Sequence, residues 1–171
     1  HKQALAGLKE SIQTIETQIK KLVDADQQLR SNYLLLTSVP GIGHLTAVYL
    51  LCCTNNFIGK PTGKQLACYA GVVTFEHSSG ISIRGRNRVH KMANKDLKSM
   101  LHLCSLSAIK NYSEYKNYYE RKKEEGKHSM SVLNAVKNKI ILRAAAVIKN
   151  QKPYQENNPY ESQIVTKKCL V

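Results

Sequence analysis

The sequence predicts a mainly α-helical protein, with a long N-terminal coiled-coil helix followed by a compact helical domain. Apolar residues recur at helical spacing in most segments, and short runs rich in glycine, proline or asparagine separate these segments. A small β-hairpin is also expected, because β-branched residues flank a Ser-Ser-Gly sequence. We therefore expect a coiled-coil helix at 1–36, a helical domain at 37–152 and an irregular tail at 153–171.

The N-terminal segment carries a heptad pattern that only Asp26 interrupts. Its apolar positions are Leu5, Leu8, Ile12, Ile15, Ile19, Leu22, Leu29, Tyr33 and Leu36. Alternating spacings of three and four residues predict one helix from about Lys2 to Leu36 that pairs protomers, with Asp26 helping to set the register. The alternative is that this stripe packs against the body of its own chain.

A glycine-rich turn, V-P-G-I-G-H-L-T-A at 39–47, joins two apolar helical segments. The glycines allow a tight bend that leaves the amides of Gly41, Gly43 and His44 at a helix N-terminus, where amides bind phosphate. This turn resembles a helix-hairpin-helix motif, which contacts the DNA backbone without reading bases. The alternative is a tight turn between two packed helices.

The middle of the chain predicts a loop, a short helix and the hairpin. The loop spans Asn55–Gly63, and Thr62 caps a helix at Lys64–Ala70. The hairpin strands are expected at Val72–Phe75 and Ile81–Ile83.

The turn of this hairpin combines two hydroxyl groups with a basic run. Ser78 and Ser79 precede Gly80, which can turn the chain sharply. The bases that follow, with no acid among them, are Arg84, Arg86, Arg88 and Lys91. A hydroxyl beside guanidinium groups suits phosphate chemistry, because arginine binds phosphate oxygens bidentately and balances their charge. The alternative is a solvated basic loop.

Three further helices complete the domain. The first runs from Asn94, a good N-cap, to about Lys110, and the last runs from about Ser129 to Asn150. The helix between them carries a stripe that we interpret as core-facing, the alternative being a stacking surface for nucleic acid: Tyr112, Tyr115 and Tyr119. On the last helix we expect three bases outside: Lys137, Lys139 and Arg143.

The composition favours a polyanionic partner. The net charge of +14 arises from 26 lysines and arginines against 12 acids, which is typical of nucleic-acid binding. The chain has no run of eighteen apolar residues and no signal-peptide pattern, so we expect an intracellular protein without a membrane segment. The five cysteines and scattered histidines predict neither disulfides nor a metal site. Because His1 lies inside a helical pattern, we expect a piece of a longer protein.

In this order, the segments resemble the C-terminal half of the insertion-sequence one-ten family of bacterial transposases, which join a RuvC-like acidic nuclease domain to a serine-bearing transposase domain. The resemblance covers about 35–154. It rests on V-P-G-I-G-H-L-T-A at 39–47, L-A-C-Y-A-G at 66–71, S-S-G at 78–80, R-V-H-K-M-A-N-K-D-L-K at 88–98, and Y-Y-E-R with G-K at 118–127. The chain differs at Ala93 and Lys98, where the family usually has glycine and arginine, and at 72–74, where Leu-x-Pro is common. Lysine lacks the guanidinium fork, so a bidentate phosphate contact is not expected at Lys98.

The resemblance implies that Ser79 is the nucleophile that attacks a DNA phosphodiester; only the register against Gly80 separates it from Ser78. Glu76 and His77 are the nearby candidates for a base. The resemblance also implies a divalent metal such as magnesium on the RuvC-like domain, so that this chain alone would bind DNA without cutting it. It further implies a guide RNA from the element and a bacterial cytoplasmic location in association with the nucleoid. The homo-oligomer is expected from the N-terminal coiled coil. The expected DNA contacts are Gly41, Gly43, His44, Arg84, Arg86, Arg88, Lys91, Lys95 and Lys98.

Other classes of function remain open. A non-catalytic DNA-binding module for repair or junctions would use the P-G-I-G turn and the charge, and would make Ser79 incidental. A coiled-coil assembly protein would use its basic charge only for solvation. A tyrosine nucleophile from the segment 112–119 is a further alternative.

Overall fold

The computed structural model describes residues 1–79 and 83–155, with the backbone alone for most of the hairpin. Within this part of the chain it confirms the mainly helical class and the presence of a hairpin. The elements, in chain order, are α1 (Lys2–Ala25), α2 (Gln27–Thr37), α3 (His44–Cys53), α4 (Gly63–Tyr69), β1 (Phe75–Ser79), β2 (Ile83–Arg88), α5 (Lys95–Asn111), α6 (Ser113–Glu124) and α7 (Ser129–Asn150).

The prediction of one uninterrupted N-terminal helix is wrong at Asp26. This residue has extended backbone angles, φ −110° and ψ 117°, which end α1. Its carboxylate then accepts the Leu29 N–H at 2.9 Å and caps α2. Aspartate is a strong N-cap because its side chain satisfies a free amide at the start of a helix. The capping preference of Asp26 therefore overrides the heptad pattern that continues through it.

The two halves of the heptad stripe have different environments. On α2, Leu29, Tyr33 and Leu36 pack in or against the core. On α1, the apolar side chains that are more than half exposed are Leu5, Leu8, Ile12, Ile15 and Leu22. Packing against the chain's own body therefore holds for α2, whereas most of the α1 stripe faces solvent.

Helix α7 forms the centre of the core, since it packs against α2, α4, α5 and α6. The predicted inward row is buried: Val132, Val136, Ile140, Ala144 and Val147. A second row beside it is also buried: Leu133, Lys137, Ile141 and Ala145. The prediction that Lys137, Lys139 and Arg143 lie outside is therefore wrong for Lys137, and the other two are half-buried. A helix with four neighbours keeps only a narrow solvent-facing side.

Two predicted helix caps are confirmed. Thr62 and Gln65 form a reciprocal capping box at the start of α4, and the Asn94 carboxamide oxygen accepts the Leu97 N–H at 2.9 Å at the start of α5. Both signals are local, because each cap needs only a side chain within three residues of the amide that it satisfies.

The tyrosine stripe of α6 is only partly core-facing. Tyr115 is buried, Tyr112 is exposed and Tyr119 is half-buried. After α7 the chain is irregular, as predicted, and it packs back onto the helices. The Tyr154 N–H donates to Ser38 Oγ at 2.8 Å, and the Tyr154 hydroxyl donates to Glu114 at 3.0 Å. The predicted tail from 156 onward lies outside the described residues.

Two other expectations bear on the described residues. Cys104 is the one buried cysteine among the four that the structure describes, whereas Cys52 is exposed and Cys53 and Cys68 are half-buried. Across 1–79 and 83–155, no helix is both long enough and apolar enough to cross a bilayer.

Candidate functional site

The serines lie in a strand and not in a turn. Strand β1 contains Ser78 and Ser79 and pairs antiparallel with β2, so both strands are longer and begin later than predicted. The predicted turn residue, Gly80, lies outside the described residues, as do the side chains of both serines.

The register places one serine opposite an arginine. Ser78 pairs with Arg84, whereas Ser79 pairs with Ile83. Paired Cα atoms in an antiparallel ladder lie about 4.5–5.5 Å apart. Arg84 is therefore the direct backbone partner of Ser78 and is one register step from Ser79.

A bulge interrupts the pairing farther from the turn. His77 pairs with Gly85 and Phe75 with Arg88, so two residue steps in β1 match three in β2. Such an extra residue changes which strand positions lie opposite each other. Consequently Arg84 and Arg88, although separated by four residues, do not occupy equivalent positions in the ladder. The roles assigned to Arg84, Arg86 and Arg88 remain predictions.

The backbone segments before β1 and after β2 approach each other closely at the base of the hairpin. Gly71 has φ +63°, and a Cβ atom there would lie 2.8 Å from Ala93 Cβ and 3.2 Å from Val89 Cγ1. Only glycine fits this close approach in the left-handed region without strain. The segment that leads into β1 is thus held against the segment that returns from β2.

Asn94 fixes this base to the helical core. Its backbone N–H donates to the Tyr69 carbonyl oxygen at 2.8 Å. Its side-chain amide donates to the Tyr69 hydroxyl at 3.0 Å and lies 3.2 Å from the Tyr49 hydroxyl. Because Tyr49 is on α3 and Tyr69 on α4, the hairpin is anchored to three helices at once. Such anchoring suits a reactive group on a hairpin, because the surrounding structure must hold a reactive side chain in a defined geometry.

The predicted basic residues after β2 lie near the base of the hairpin and differ in how exposed they are. Lys91 and Lys95 are exposed, whereas Lys98 is half-buried. Lys98 Cδ lies 3.6 Å from the position that a Cβ on Gly71 would take. A fourth basic residue, Lys137, was predicted to lie outside but is buried on α7. Burial lowers the pKa of Lys137, and the nearby charge of Lys98 lowers it further.

The P-G-I-G turn is a packed turn. Gly41 has φ +92°, and a Cβ there would lie 2.9 Å from Ala108 Cβ and 3.0 Å from the Cys104 carbonyl oxygen. Packing against α5 therefore explains this glycine without any ligand. Gly43 is exposed and begins α3 without a side-chain cap. His44 is half-buried, with Nδ1 2.9 Å from the Tyr33 hydroxyl. Contact of these three residues with DNA remains a prediction.

The structure separates the P-G-I-G turn from the hairpin base. Asn94 caps the start of α5, and Ala108, which contacts Gly41, lies 14 residues later. At 1.5 Å per residue the two ends are about 21 Å apart. Leu103, which is 67% exposed, lies on α5 between them. The predicted contacts therefore form two sites and not one.

Side chains that could bind a metal ion are scattered in the described part of the chain. Within it, no three His, Cys, Asp or Glu side chains come close enough together to share a metal ion. The residues present do not fit a metal centre of their own.

Comparison with known proteins identifies the family. The model described as "Transposase IS116/IS110/IS902 family" matches residues 33–120, just over half of the chain. The pilin gene-inverting proteins of Moraxella bovis and Moraxella lacunata are each 28% identical over 148 residues, 86% of this chain and 46% of the relative. The insertion element IS110 uncharacterized 43.6 kDa protein of Streptomyces coelicolor is 30% identical over 138 residues, 80% of this chain and 33% of the relative. The chain thus spans less than half the length of these relatives, and its matched region includes the P-G-I-G turn and the whole hairpin. The chain belongs to the IS116/IS110/IS902 family of transposases.

Proposed function

We propose that this chain is the serine-bearing part of a longer DNA recombinase that cuts DNA strands and exchanges them. Membership in a transposase family is the observation that carries this proposal. The names of the Moraxella relatives, which describe inversion of a gene, support DNA rearrangement as the outcome. The hairpin supports Ser79 as the reactive residue, because its base is hydrogen-bonded to the helical core and Arg84 lies one register step from Ser79.

The proposed chemical step is a transesterification. The Ser79 oxygen forms a bond to phosphorus, and the bond from phosphorus to a deoxyribose oxygen breaks. The serine proton passes to a base, and the departing oxygen takes up a proton. Reversal with a different strand joins DNA without a nucleotide cofactor, because the phosphoester bond energy is kept in the serine ester.

Two groups of residues would hold the DNA. Arg84, Arg86 and Arg88, with Lys91, Lys95 and Lys98, would bind near the scissile phosphate and balance its charge. The amides around Gly43, about 21 Å away along α5, would contact the backbone of a more distant segment.

The other components of the proposed recombinase lie outside this chain. We place the divalent metal, magnesium by preference, on a RuvC-like acidic domain that completes a composite site, so that this chain alone binds DNA without cutting it. The exposed apolar stripe of α1 supports pairing of protomers, because burying such a stripe against a second copy is favourable. A guide RNA is part of the proposal through family membership, and the same basic surface would suit it.

The test uses the full-length protein with Ser79→Ala and Ser78→Ala as a matched pair. Strand exchange is measured between a donor and a target plasmid, and protein covalently attached to DNA is trapped by rapid denaturation. We expect Ser79→Ala to abolish both readouts and Ser78→Ala to retain them. Retention of both by Ser79→Ala with loss by Ser78→Ala would reassign the nucleophile to the residue that pairs with Arg84. Retention by both variants would exclude a serine mechanism.

The second candidate is a non-catalytic DNA-binding module that uses the P-G-I-G turn. The exposed, uncapped start of α3 at Gly43 favours it, since free amides at a helix N-terminus attract phosphate. This candidate predicts that neither serine substitution affects any DNA transaction. A tyrosine nucleophile is disfavoured at Tyr115, whose side chain is buried, and single phenylalanine substitutions across 112–119 test the others.

A further inference from the structure

Lys137 is a lysine on α7 whose side chain is mostly buried. It is 5% exposed and lies in the middle of α7, between the buried residues Val136 and Ile140. Among the side chains that the structure describes, no carboxylate lies within 4 Å of its ammonium group. Its ammonium nitrogen is not among the fully buried side-chain atoms of the described residues that lack a hydrogen-bond partner, as expected of a lysine that buries its aliphatic stem and leaves its charged end accessible.

The position of Lys137 is at the base of the hairpin. One turn earlier on α7, the Asn134 side-chain amide donates to the Val72 carbonyl oxygen at 2.7 Å. Residues three apart on a helix lie on the same side, so Lys137 follows Asn134 along the side of α7 that meets this segment. Lys98 approaches the preceding residue, Gly71, from α5. The segment Gly71–Val72 therefore lies between two lysines on different helices.

The two lysines are close enough to repel each other. The charge of Lys98 lowers the pKa of Lys137 in addition to the effect of burial. Like charges near each other disfavour both charged forms, whereas an anion that reaches both ammonium groups would favour them. The overall charge of +14 makes a polyanion the natural source of that anion.

We propose that Lys137 and Lys98 together bind one phosphodiester group of a nucleic-acid backbone at the base of the hairpin. This inference rests on the proposed function, which needs nucleic acid at the hairpin, and it adds a contact from α7, beyond the region that the family model matches. Lysine binds phosphate as a point charge and needs no fork geometry, so Lys98 can take part although the family usually has arginine there. Val72 and Ser79 are seven positions apart in the sequence, so the contact is within about 25 Å of chain from the proposed nucleophile.

The test measures the salt dependence of binding by the full-length protein. Fluorescence anisotropy follows a labelled 30-base-pair DNA duplex, and in a second arm an RNA hairpin of similar length, at several salt concentrations. We expect Lys137→Met to weaken binding and to make the plot of log K against log salt less steep. For one lost phosphate contact, the magnitude of the slope should fall by about 0.9 on the duplex, or by about 0.7 if the phosphate belongs to a single strand. Lys98→Met should do the same, and the double variant should lose little more than either single one, because both act on one phosphate. Lys9→Met, on the exposed face of α1, removes the same charge and should leave the slope unchanged.

Thermal unfolding separates binding from a structural role. Removing a partly desolvated charge that Lys98 repels should raise the Tm of Lys137→Met, whereas loss of a structural ion pair would lower it. The inference would be overturned if Lys137→Met and Lys98→Met both showed the same salt slope as Lys9→Met. That result would leave the proposed function intact. Absence of salt-dependent binding in the unmodified protein would instead overturn the proposed function. Lys98→Met, at a half-buried position, keeps the test decisive if Lys137→Met does not fold.

Discussion

Gly41→Ala should destabilise the fold strongly, because the turn between α2 and α3 leaves no room for a side chain. The residue has φ +92°, and its Cβ would lie 2.9 Å from Ala108 Cβ, 3.0 Å from the Cys104 carbonyl oxygen and 3.4 Å from Ile140 Cδ1. The left-handed backbone costs an alanine roughly 1–2 kcal/mol, and overpacking adds about 1–3 kcal/mol. We expect a total of about 2–5 kcal/mol, a large part of the roughly 5–15 kcal/mol that stabilises a typical domain.

The matched control is Gly43→Ala, two residues later in the same turn. Gly43 has ordinary extended angles, φ −91° and ψ 176°, and no atom lies within 4 Å of its Cβ position. The change loses only the N-cap preference of glycine over alanine, about 1 kcal/mol or less.

The assay is urea unfolding followed by circular dichroism at 222 nm, with equal slopes required so that the midpoints report stability. The midpoint should fall much more for Gly41→Ala than for Gly43→Ala. Equal losses would refute the packed-turn interpretation of Gly41. The folded Gly43→Ala variant can then be tested for DNA binding. We expect its binding to be weaker, because a side chain at Gly43 would obstruct a phosphate bound to the amides there.

Two further changes test local interactions. Asp26→Ala removes the cap of α2 and should cost about 1 kcal/mol, measured by the same urea unfolding, whereas a gain would mean that α1 and α2 prefer to be continuous. Burial and the hydrogen bond to Glu114 raise the pKa of Tyr154 to about 12. Its stabilising effect is therefore present below the unfolded-state pKa of about 10 and is lost as the pH rises toward 12. Tyr154→Phe should remove this alkaline loss, measured as the change in unfolding free energy between pH 9 and 11.5, and an unchanged pH dependence would contradict the assignment.

Features set by a few neighbouring residues were predictable. The caps at Thr62 and Asn94 follow from local hydrogen bonding, and the helical class follows from periodicity. Asp26 shows where two local signals compete. The apolar period runs through it, yet its carboxylate satisfies the Leu29 amide and ends the previous helix. A polar residue on a stripe should therefore be tested as a cap before it is read as a register-setting core residue.

Features that depend on the number of packing partners were not predictable. The inward row of α7 that contains Val136 and Ile140 has a clear apolar pattern. The second buried row contains Lys137, whose charge predicts exposure. Its burial follows from contacts with four other helices, which one helix's sequence does not reveal. The contacts of Arg143 were not predictable for the same reason, because its ion pair with Glu114 and its position over the rings of Tyr115 and Tyr154 depend on neighbouring segments.

The separation of the two proposed DNA contacts leads to a gain-of-function prediction. A single backbone that follows α5 from the hairpin base to the P-G-I-G turn covers about 21 Å, or roughly six nucleotides at 3.4 Å per step. It would pass Leu103, an exposed apolar residue that offers no contact to phosphate. Leu103→Lys should then add one contact and increase the salt slope by about 0.9. Leu5→Lys, on the exposed stripe of α1, adds the same charge away from α5 and should not change the slope. Equal slopes for both variants would mean that the DNA backbone does not follow the exposed side of α5 that carries Leu103.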